Sequence, residues 1–309
     1  MTNLLDRTLV RLLPAVPKPL VKLIADRYVA GAHLADACRV VQRLNAEGKL
    51  ATVDVLGEEI RNVGEAERIR DAYLDVLAAV ERERLDANVS VKLTALGLEL
   101  DYGLCREHLR ALVEDAAERS NFVRIDMEDS SYTDRTLRLY RELREDGHEN
   151  VGVVLQASLR RTLDDIASLA DLRANVRLCK GIYVEPPDVA FQDEDEVRDS
   201  FLAALDALLD GGSYVGIATH DEELLHGAQW RVAERRLDAA RYEFQMLLGV
   251  REARASALVR EGHRLRVYVP FGEQWYAYSL RRLQENPKVA GYIAADTIGR
   301  VLHVGRNGR

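Results

Sequence analysis

The segment YSLRRLQE, residues 278–285, puts four side chains capable of chemistry on one helical face. Positions i, i+3, i+4 and i+7 of a helix point the same way, so Tyr278, Arg281, Arg282 and Glu285 stand together. A face packed on a core would be apolar. This one offers an aromatic ring, two guanidinium groups and a carboxylate. Adjacent arginines suit a carboxylate ligand, because each planar fork of donors can pair with both of its oxygens. The expected ligand is therefore a small carboxylic acid. The plainer alternative is a solvated face on which Glu285 pairs with the arginines, worth only about a few tenths of a kcal/mol. Against it stands the run VYVPFGEQWY just upstream, where Pro270 and Gly272 are expected to stop a strand and set the helix over that strand's end.

A strand there is one of a series. From residue 51 onward, short apolar and β-branched runs alternate with amphipathic stretches. The runs are ATVDVLGE (51–58), NVSVKLTALG (88–97), FVRIDMEDS (122–130), VGVVLQAS (151–158), VRLCKGIY (176–183), YVGIATHD (214–221), YEFQMLLG (242–249) and RLRVYVPFG (264–272). Between them lie helical segments such as EAERIRDAYLDVLAAVERER and DEVRDSFLAALDALLDGG, with acidic first turns and glycine stops. Such alternation implies parallel strands with right-handed crossovers. Eight repeats at this length predict an α/β fold, a closed (β/α)₈ barrel with extra N-terminal helices and a C-terminal helix over the mouth. The divisions expected are an N-terminal helical segment (1–50), the barrel (51–287) and a C-terminal helix and tail (288–309).

Each run ends on polar or reactive residues: Glu58, Lys92, Asp126 with Glu128 and Asp129, Gln156, Lys180, His220 with Asp221, and Tyr268. Barrel active sites gather at the mouth where these ends converge. The mouth so read holds cations from Lys92, Arg177, Lys180, Arg281 and Arg282, partly balanced by Glu58, Asp126 and Glu285. Leu247 and Tyr268, from the seventh and eighth runs, would cover an apolar ring or chain above the arginine clamp.

Composition excludes several classes. A net charge of −8 and a pI near 5.5 argue against nucleic acid as a partner, which would call for a basic face. Three cysteines, Cys38, Cys105 and Cys179, without metal-site spacing are expected to be reduced thiols, and hence cytoplasmic. Charges at Asp6, Arg7 and Arg11 interrupt any signal-peptide run, and no stretch approaches the roughly 20 apolar residues of a membrane span. Helices packed on the rest of the chain are expected before residue 51, with peripheral contact at the inner face of a membrane as the alternative. Neither G-x-G-x-x-G nor a P-loop occurs, so a nucleotide would have to sit on the barrel itself. The seven histidines form no H-x-H or H-E-x-x-H pattern, and no metal is expected.

The run YVPFGEQWYAYSLRRLQENP resembles the C-terminal signature of the proline dehydrogenases, and LGE, SVKLTALG, RIDMEDS, VVLQ, VRLCKGIY, ATHD and EFQMLLG resemble that family's strand-end motifs in the same order. The resemblance covers roughly residues 45–290, and the chain's length resembles that of the short monofunctional bacterial members. It implies an FAD-dependent barrel enzyme that oxidises L-proline to Δ1-pyrroline-5-carboxylate. Membrane quinone is the implied electron acceptor, and channelling to a separate pyrroline-5-carboxylate dehydrogenase is a further implied partnership. Position by position, Arg281 and Arg282 match the arginines that hold the proline carboxylate, and Lys92 the lysine that assists them. Tyr278 and Tyr268 match pocket aromatics, Leu247 the leucine on the proline ring, Asp126 the aspartate that orders the clamp near the flavin, and Glu58 a gating glutamate. On the cofactor side Arg177 matches an arginine near flavin N5 and Gln156 a glutamine at the pyrimidine edge, while Lys180, Gly181, Tyr183, Thr219, His220 and Glu285 match further contacts or their supports. Ile182 stands where the family usually has alanine and adds volume near the substrate. Tyr268 resembles the proline-specific members rather than the hydroxyproline-oxidising ones. Two other readings stay open: a Schiff-base lyase or aldolase using Lys92 or Lys180, and a barrel that binds a small acid without catalysis.

Overall fold

The computed structural model describes residues 27–57, 60–276 and 278–279. Helix α1 (Leu34–Ala46) leads into β1 (Leu50–Val55), α2 (Val63–Arg82), β2 (Ala87–Val91), α3 (Tyr102–Glu118), β3 (Val123–Ile125), α4 (Thr133–Glu145) and β4 (Val151–Gln156). There follow α5 (Thr162–Ser168), β5 (Asn175–Cys179), α6 (Glu194–Asp210), β6 (Tyr214–Ala218), α7 (Glu222–Glu234), β7 (Tyr242–Leu247), α8 (Glu252–Arg260) and β8 (Leu265–Phe271). The eight strands are parallel, each pairs with the next, and β8 returns to β1 to close the barrel.

The strands alternate in what they carry. Ala51, Val53 and Val55 of β1 belong to the apolar core that packs beneath the helices, while Thr52 and Asp54 take the opposite, inward phase. Helices answer with stripes of period 3.6, such as Tyr73, Val76, Leu77 and Val80 on α2, all buried. Several of their N-termini are capped by acids or amides: Asn62 accepts from Glu65 N, Asp101 from Leu104 N, and Asp221 from Glu223 N. Helix α1 packs on the outside of β1 and β8.

The inward phase is unusually polar, with Ser90, Arg124, Asp126, Gln156, Arg177, Glu243 and Gln245 all buried. Long interior side chains require space opposite them. A Cβ on Gly152 would lie 2.5 Å from Arg124 Nη1, and one on Gly216 would lie 2.4 Å from Gln245 Nε2.

Pro270 departs from the sequence expectation, because it lies inside β8 rather than ending it. Pairing of β8 with β7 stops at Leu247↔Tyr268, whereas pairing with β1 continues to Val55↔Phe271. Beyond the end of β7 the segment at residues 30–31 takes over that side: Ala30 N donates to Pro270 O at 2.8 Å, and Gly272 N to Gly31 O at 3.0 Å. A proline without an N–H is tolerated where one flank has no strand left to donate to. A helical turn then starts, with Tyr278 N donating to Gln274 O and Ser279 Oγ to Trp275 O. The sequence runs also overshoot the strands at their polar ends, since those ends are the loops of the mouth.

Candidate active site

Asp126 is the hub of the mouth. It follows β3, and its N–H donates to Val91 O, so the backbone is still tied to β2 where the side chain turns inward. Oδ1 accepts from Arg177 Nη1 at 2.7 Å and from Ser90 Oγ at 2.6 Å, while Oδ2 accepts from the Tyr268 hydroxyl at 2.9 Å. Lys92 Nζ stands 3.9 Å from Oδ2. Burial by itself would raise the Asp126 carboxyl. The Arg177 and Lys92 cations, with the bonds from Ser90 and Tyr268, reverse that and hold it below its ordinary value.

Lys92 is fixed from the other side by Asp54, a fully buried carboxylate in β1. Nζ donates to both Asp54 oxygens at 3.1 Å and lies 3.5 Å from Tyr268 Oη. Burial pulls the ammonium toward neutrality, but Asp54, followed by Tyr268 and Asp126, drives it well above the usual lysine value. A lysine held protonated in this way is a poor nucleophile for Schiff-base chemistry. Tyr73 supports the pair from α2: its hydroxyl lies 3.0 Å from Asp54 Oδ1 and 2.7 Å from Ser90 O, and it accepts from Val55 N. The Tyr268 phenol is itself driven well above its ordinary value, by burial and then by Asp126 and Asp54, and so remains a donor.

Arg177, inward on β5, closes the cluster. Besides Asp126, Nη1 reaches Ser90 Oγ at 3.1 Å, Nε donates to Gln245 Oε1 at 2.5 Å, and the guanidinium carbon sits 5.3 Å from the Tyr268 ring centre. Among the described residues Nη2 donates to nothing. Gln156, at the end of β4, gives both its amide protons to carbonyls, those of Met127 and Glu128 at 3.2 and 2.9 Å. This fixes the amide's orientation and leaves Oε1 as an acceptor that no described residue uses. A flavin ring presents an N–H on its pyrimidine edge and accumulates negative charge beside it, so an open amide oxygen and an open guanidinium nitrogen fit that group.

The other residues picked from the sequence fall around this cluster. Lys180 Nζ pairs with Asp221 Oδ2 at 3.0 Å, and Asp221 is held in turn by Arg198 at 2.9 Å. Gly181 has φ +98° and its missing Cβ would lie 2.1 Å from Ser158 Oγ, so any other residue there would displace the loop. Tyr183 and Ile182 are half-buried in the same loop. Thr219 is buried and accepts from Asp221 N. His220 Nε2 accepts from the Leu247 N–H at 3.0 Å, which ties the end of β6 to the end of β7. Tyr278 packs with Val29, Leu56 and Trp275, and its phenol is close enough to raise that of Tyr268. Glu128 turns to Thr94, accepting from its N–H and its hydroxyl, and acts within the loops. Glu58, Arg281, Arg282 and Glu285 lie outside the described residues.

Asp54, Tyr73, Ser90 and Gln245 escape the sequence reading. Asp54 had a signal: an acid at the inward phase of the apolar run ATVDV. Ser90 and Gln245 are neutral strand residues, and Tyr73 sits in a helix stripe where an aromatic reads as core.

Residues 37–295 match the family described as proline dehydrogenase. The chain is 39% identical over 272 residues to proline dehydrogenase 1 of Bacillus subtilis subsp. natto, covering 88% of this chain and 90% of that one. It is 36% identical over 274 residues to the proline dehydrogenase of Deinococcus radiodurans, covering 87% and 88%. Among solved structures, proline utilization A from Bdellovibrio bacteriovorus, inactivated by N-propargylglycine, superposes with a TM-score of 0.82 at 24% identity. That alignment covers 90% of this chain and 36% of the longer protein, and it supports the barrel fold. No helix among the described residues is long and apolar enough to cross a membrane.

Proposed function

Because the chain belongs to the proline dehydrogenase family, we propose that it oxidises L-proline to Δ1-pyrroline-5-carboxylate with FAD, the first step of proline catabolism toward glutamate. As a member it is an oxidoreductase acting on proline. The observation that carries the finer reading is the Asp126 hub, which joins Arg177, on the expected flavin side, to Lys92 and Tyr268, on the expected substrate side. Bound FAD would supply the acceptor for the hydride leaving proline C5, the amine proton departing separately to leave the C=N bond. Arg177, a buried cation, and Gln156 would hold the flavin: the guanidinium would favour the negative charge the ring gains on reduction, and Gln156 Oε1 would accept from the ring N–H. Lys92, with Arg281 and Arg282, binds the substrate carboxylate, and Leu247 and Tyr268 flank its ring. The task of these groups is orientation, which can supply a large share of the rate. Electrons pass on to a quinone, and the product to a separate dehydrogenase.

A visible spectrum of the purified protein before and after anaerobic proline tests the reading. Flavin bands that bleach with proline are the expected result; a protein that takes up no FAD would overturn it. Two further outcomes are expected. Arg281→Met raises the KM for proline at least about tenfold while flavin stays bound, since one bidentate carboxylate contact is lost and the ring's anchors are not; loss of the flavin in this variant would contradict the assignment. The Tyr268 ring is pinned by Asp126 and lies against Arg177, and a tyrosine here resembles the proline-specific members, so proline is expected to give a higher kcat/KM than 4-hydroxyproline. Steady-state rates with the two substrates check that order.

A further inference from the structure

Beneath Arg177 the hydrogen bonds continue down the barrel. Gln245 Oε1 accepts from Arg177 Nε at 2.5 Å, and Gln245 Nε2 donates to Glu243 Oε1 at 2.6 Å. The same Glu243 oxygen accepts from Arg266 Nε at 2.7 Å, and Arg266 Nη1 donates to Ala51 O at 2.6 Å, at the start of β1. Glu243 is 2% exposed and Gln245 6%. The chain of contacts thus runs from the floor of the barrel to its mouth.

The directions of these bonds matter. A carboxylate can only accept, so Glu243 forces the donor end of the Gln245 amide downward and its oxygen upward to Arg177. Glu243 in turn is held by Arg266, whose guanidinium is anchored on β1. Arg177 is therefore gripped at Nε from below and at Nη1 from the Asp126 side, which fixes the plane of its guanidinium and leaves Nη2 as a donor that no described residue uses. Gly216 is what lets the amide lie there, since a Cβ would stand 2.4 Å from Gln245 Nε2 and 2.9 Å from its Cδ.

We propose that Gln245 is a positioning residue for Arg177: supported by Glu243 and Arg266, it sets the orientation of the guanidinium presented to the flavin and thereby tunes the flavin's reduction potential. The inference rests on the function proposed above. A neutral glutamine suits the task, because a carboxylate in its place would neutralise Arg177 and repel Glu243, while an apolar residue would leave Nε unpaired and the plane free to turn.

The test compares FAD-loaded wild type with Gln245→Leu, Gly216→Ala and Arg177→Met. Flavin content, Tm, reduction potential by dye equilibration, and the half-time of anaerobic bleaching by proline are measured for each. Gln245→Leu is expected to retain flavin, to shift the potential negative in the direction of Arg177→Met but less far, and to lengthen the bleaching half-time about tenfold. Gly216→Ala, which leaves Gln245 in place but displaces its amide, is expected to shift the potential the same way and carries the test if Gln245→Leu does not fold. A merely structural role predicts a lower Tm with a wild-type potential, and that result overturns the inference while leaving the proposed function standing. Wild type that binds no FAD would instead overturn the proposed function, and this inference with it.

Discussion

Asp126→Ala is expected to lower kcat/KM for proline by about 10²- to 10³-fold, the largest loss of any single substitution at the mouth. Four groups converge on this carboxylate: Arg177, Ser90, Tyr268 and Lys92. Alanine removes the carboxylate that Arg177 and Lys92 share, and takes from the Tyr268 hydroxyl its acceptor. Removing one partner of a buried pair costs about 3–5 kcal/mol, and losing a preorganised electrostatic element costs a similar factor in rate. Asp126→Asn separates the two effects. It keeps an acceptor oxygen for one bond and loses the charge, so Tm should recover toward wild type while kcat stays low. Wild-type Tm and kcat in Asp126→Asn, with both lost in Asp126→Ala, would show that the side chain acts through packing alone. The pH dependence has a definite sign. The folded-state pKa of Asp126 is depressed, so its contribution to stability is present above the unfolded carboxylate value near about 3.9 and is lost as pH falls through the lower folded value. Acid unfolding of wild type should therefore shift upward in pH in Asp126→Asn.

The barrel was legible because its two signals reinforce each other. Period-2 alternation of runs such as ATVDV and period-3.6 stripes such as Tyr73, Val76, Leu77 and Val80 leave little choice but parallel strands covered by helices. The polar ends of the runs marked the mouth because the helix-facing positions of a strand stay apolar until it leaves the sheet. What the residues do not announce is the interior. Lys92, Asp126 and Arg177 stood out as charges at the mouth, but Lys92 pairs with Asp54 on the neighbouring strand, Asp126 with Ser90, and Arg177 with Gln245, and Ser90 and Gln245 look like any neutral residue in a strand. Register and closure bring them together, and neither is local in sequence. Pro270 illustrates the opposite error. A proline was expected to end the strand, yet it continues because the unequal lengths of β7 and β1 leave its donorless side facing residue 30.

Asp54 gives the second large effect, and it follows from residues the sequence reading passed over. Lys92 is mostly buried, and burial alone would weaken its proton; both Asp54 oxygens at 3.1 Å are the main reason the proton is held so firmly. In wild type the folded pKa of Lys92 is raised, so its stabilisation is present below the unfolded lysine value near about 10.4 and survives until pH passes the still higher folded value. Asp54→Asn preserves the shape and an acceptor for Tyr73 but removes the charge. The burial penalty then dominates and the ammonium pKa falls. At neutral pH the expected cost is about 3 kcal/mol of stability, from the low end of the buried-pair range, because Asp126 at 3.9 Å remains as a second counter-charge. Activity should fall about 10²-fold, mostly in KM, since a lysine that has lost its proton or its place no longer meets the substrate carboxylate. The diagnostic is the pH profile of kcat/KM. Wild type should show no alkaline limb from Lys92 below pH of about 10, whereas Asp54→Asn should acquire one. Lys92→Met in the same background should abolish that limb, because the titrating group is gone. If Asp54→Asn loses activity uniformly at every pH, Asp54 shapes the mouth without governing the charge of Lys92.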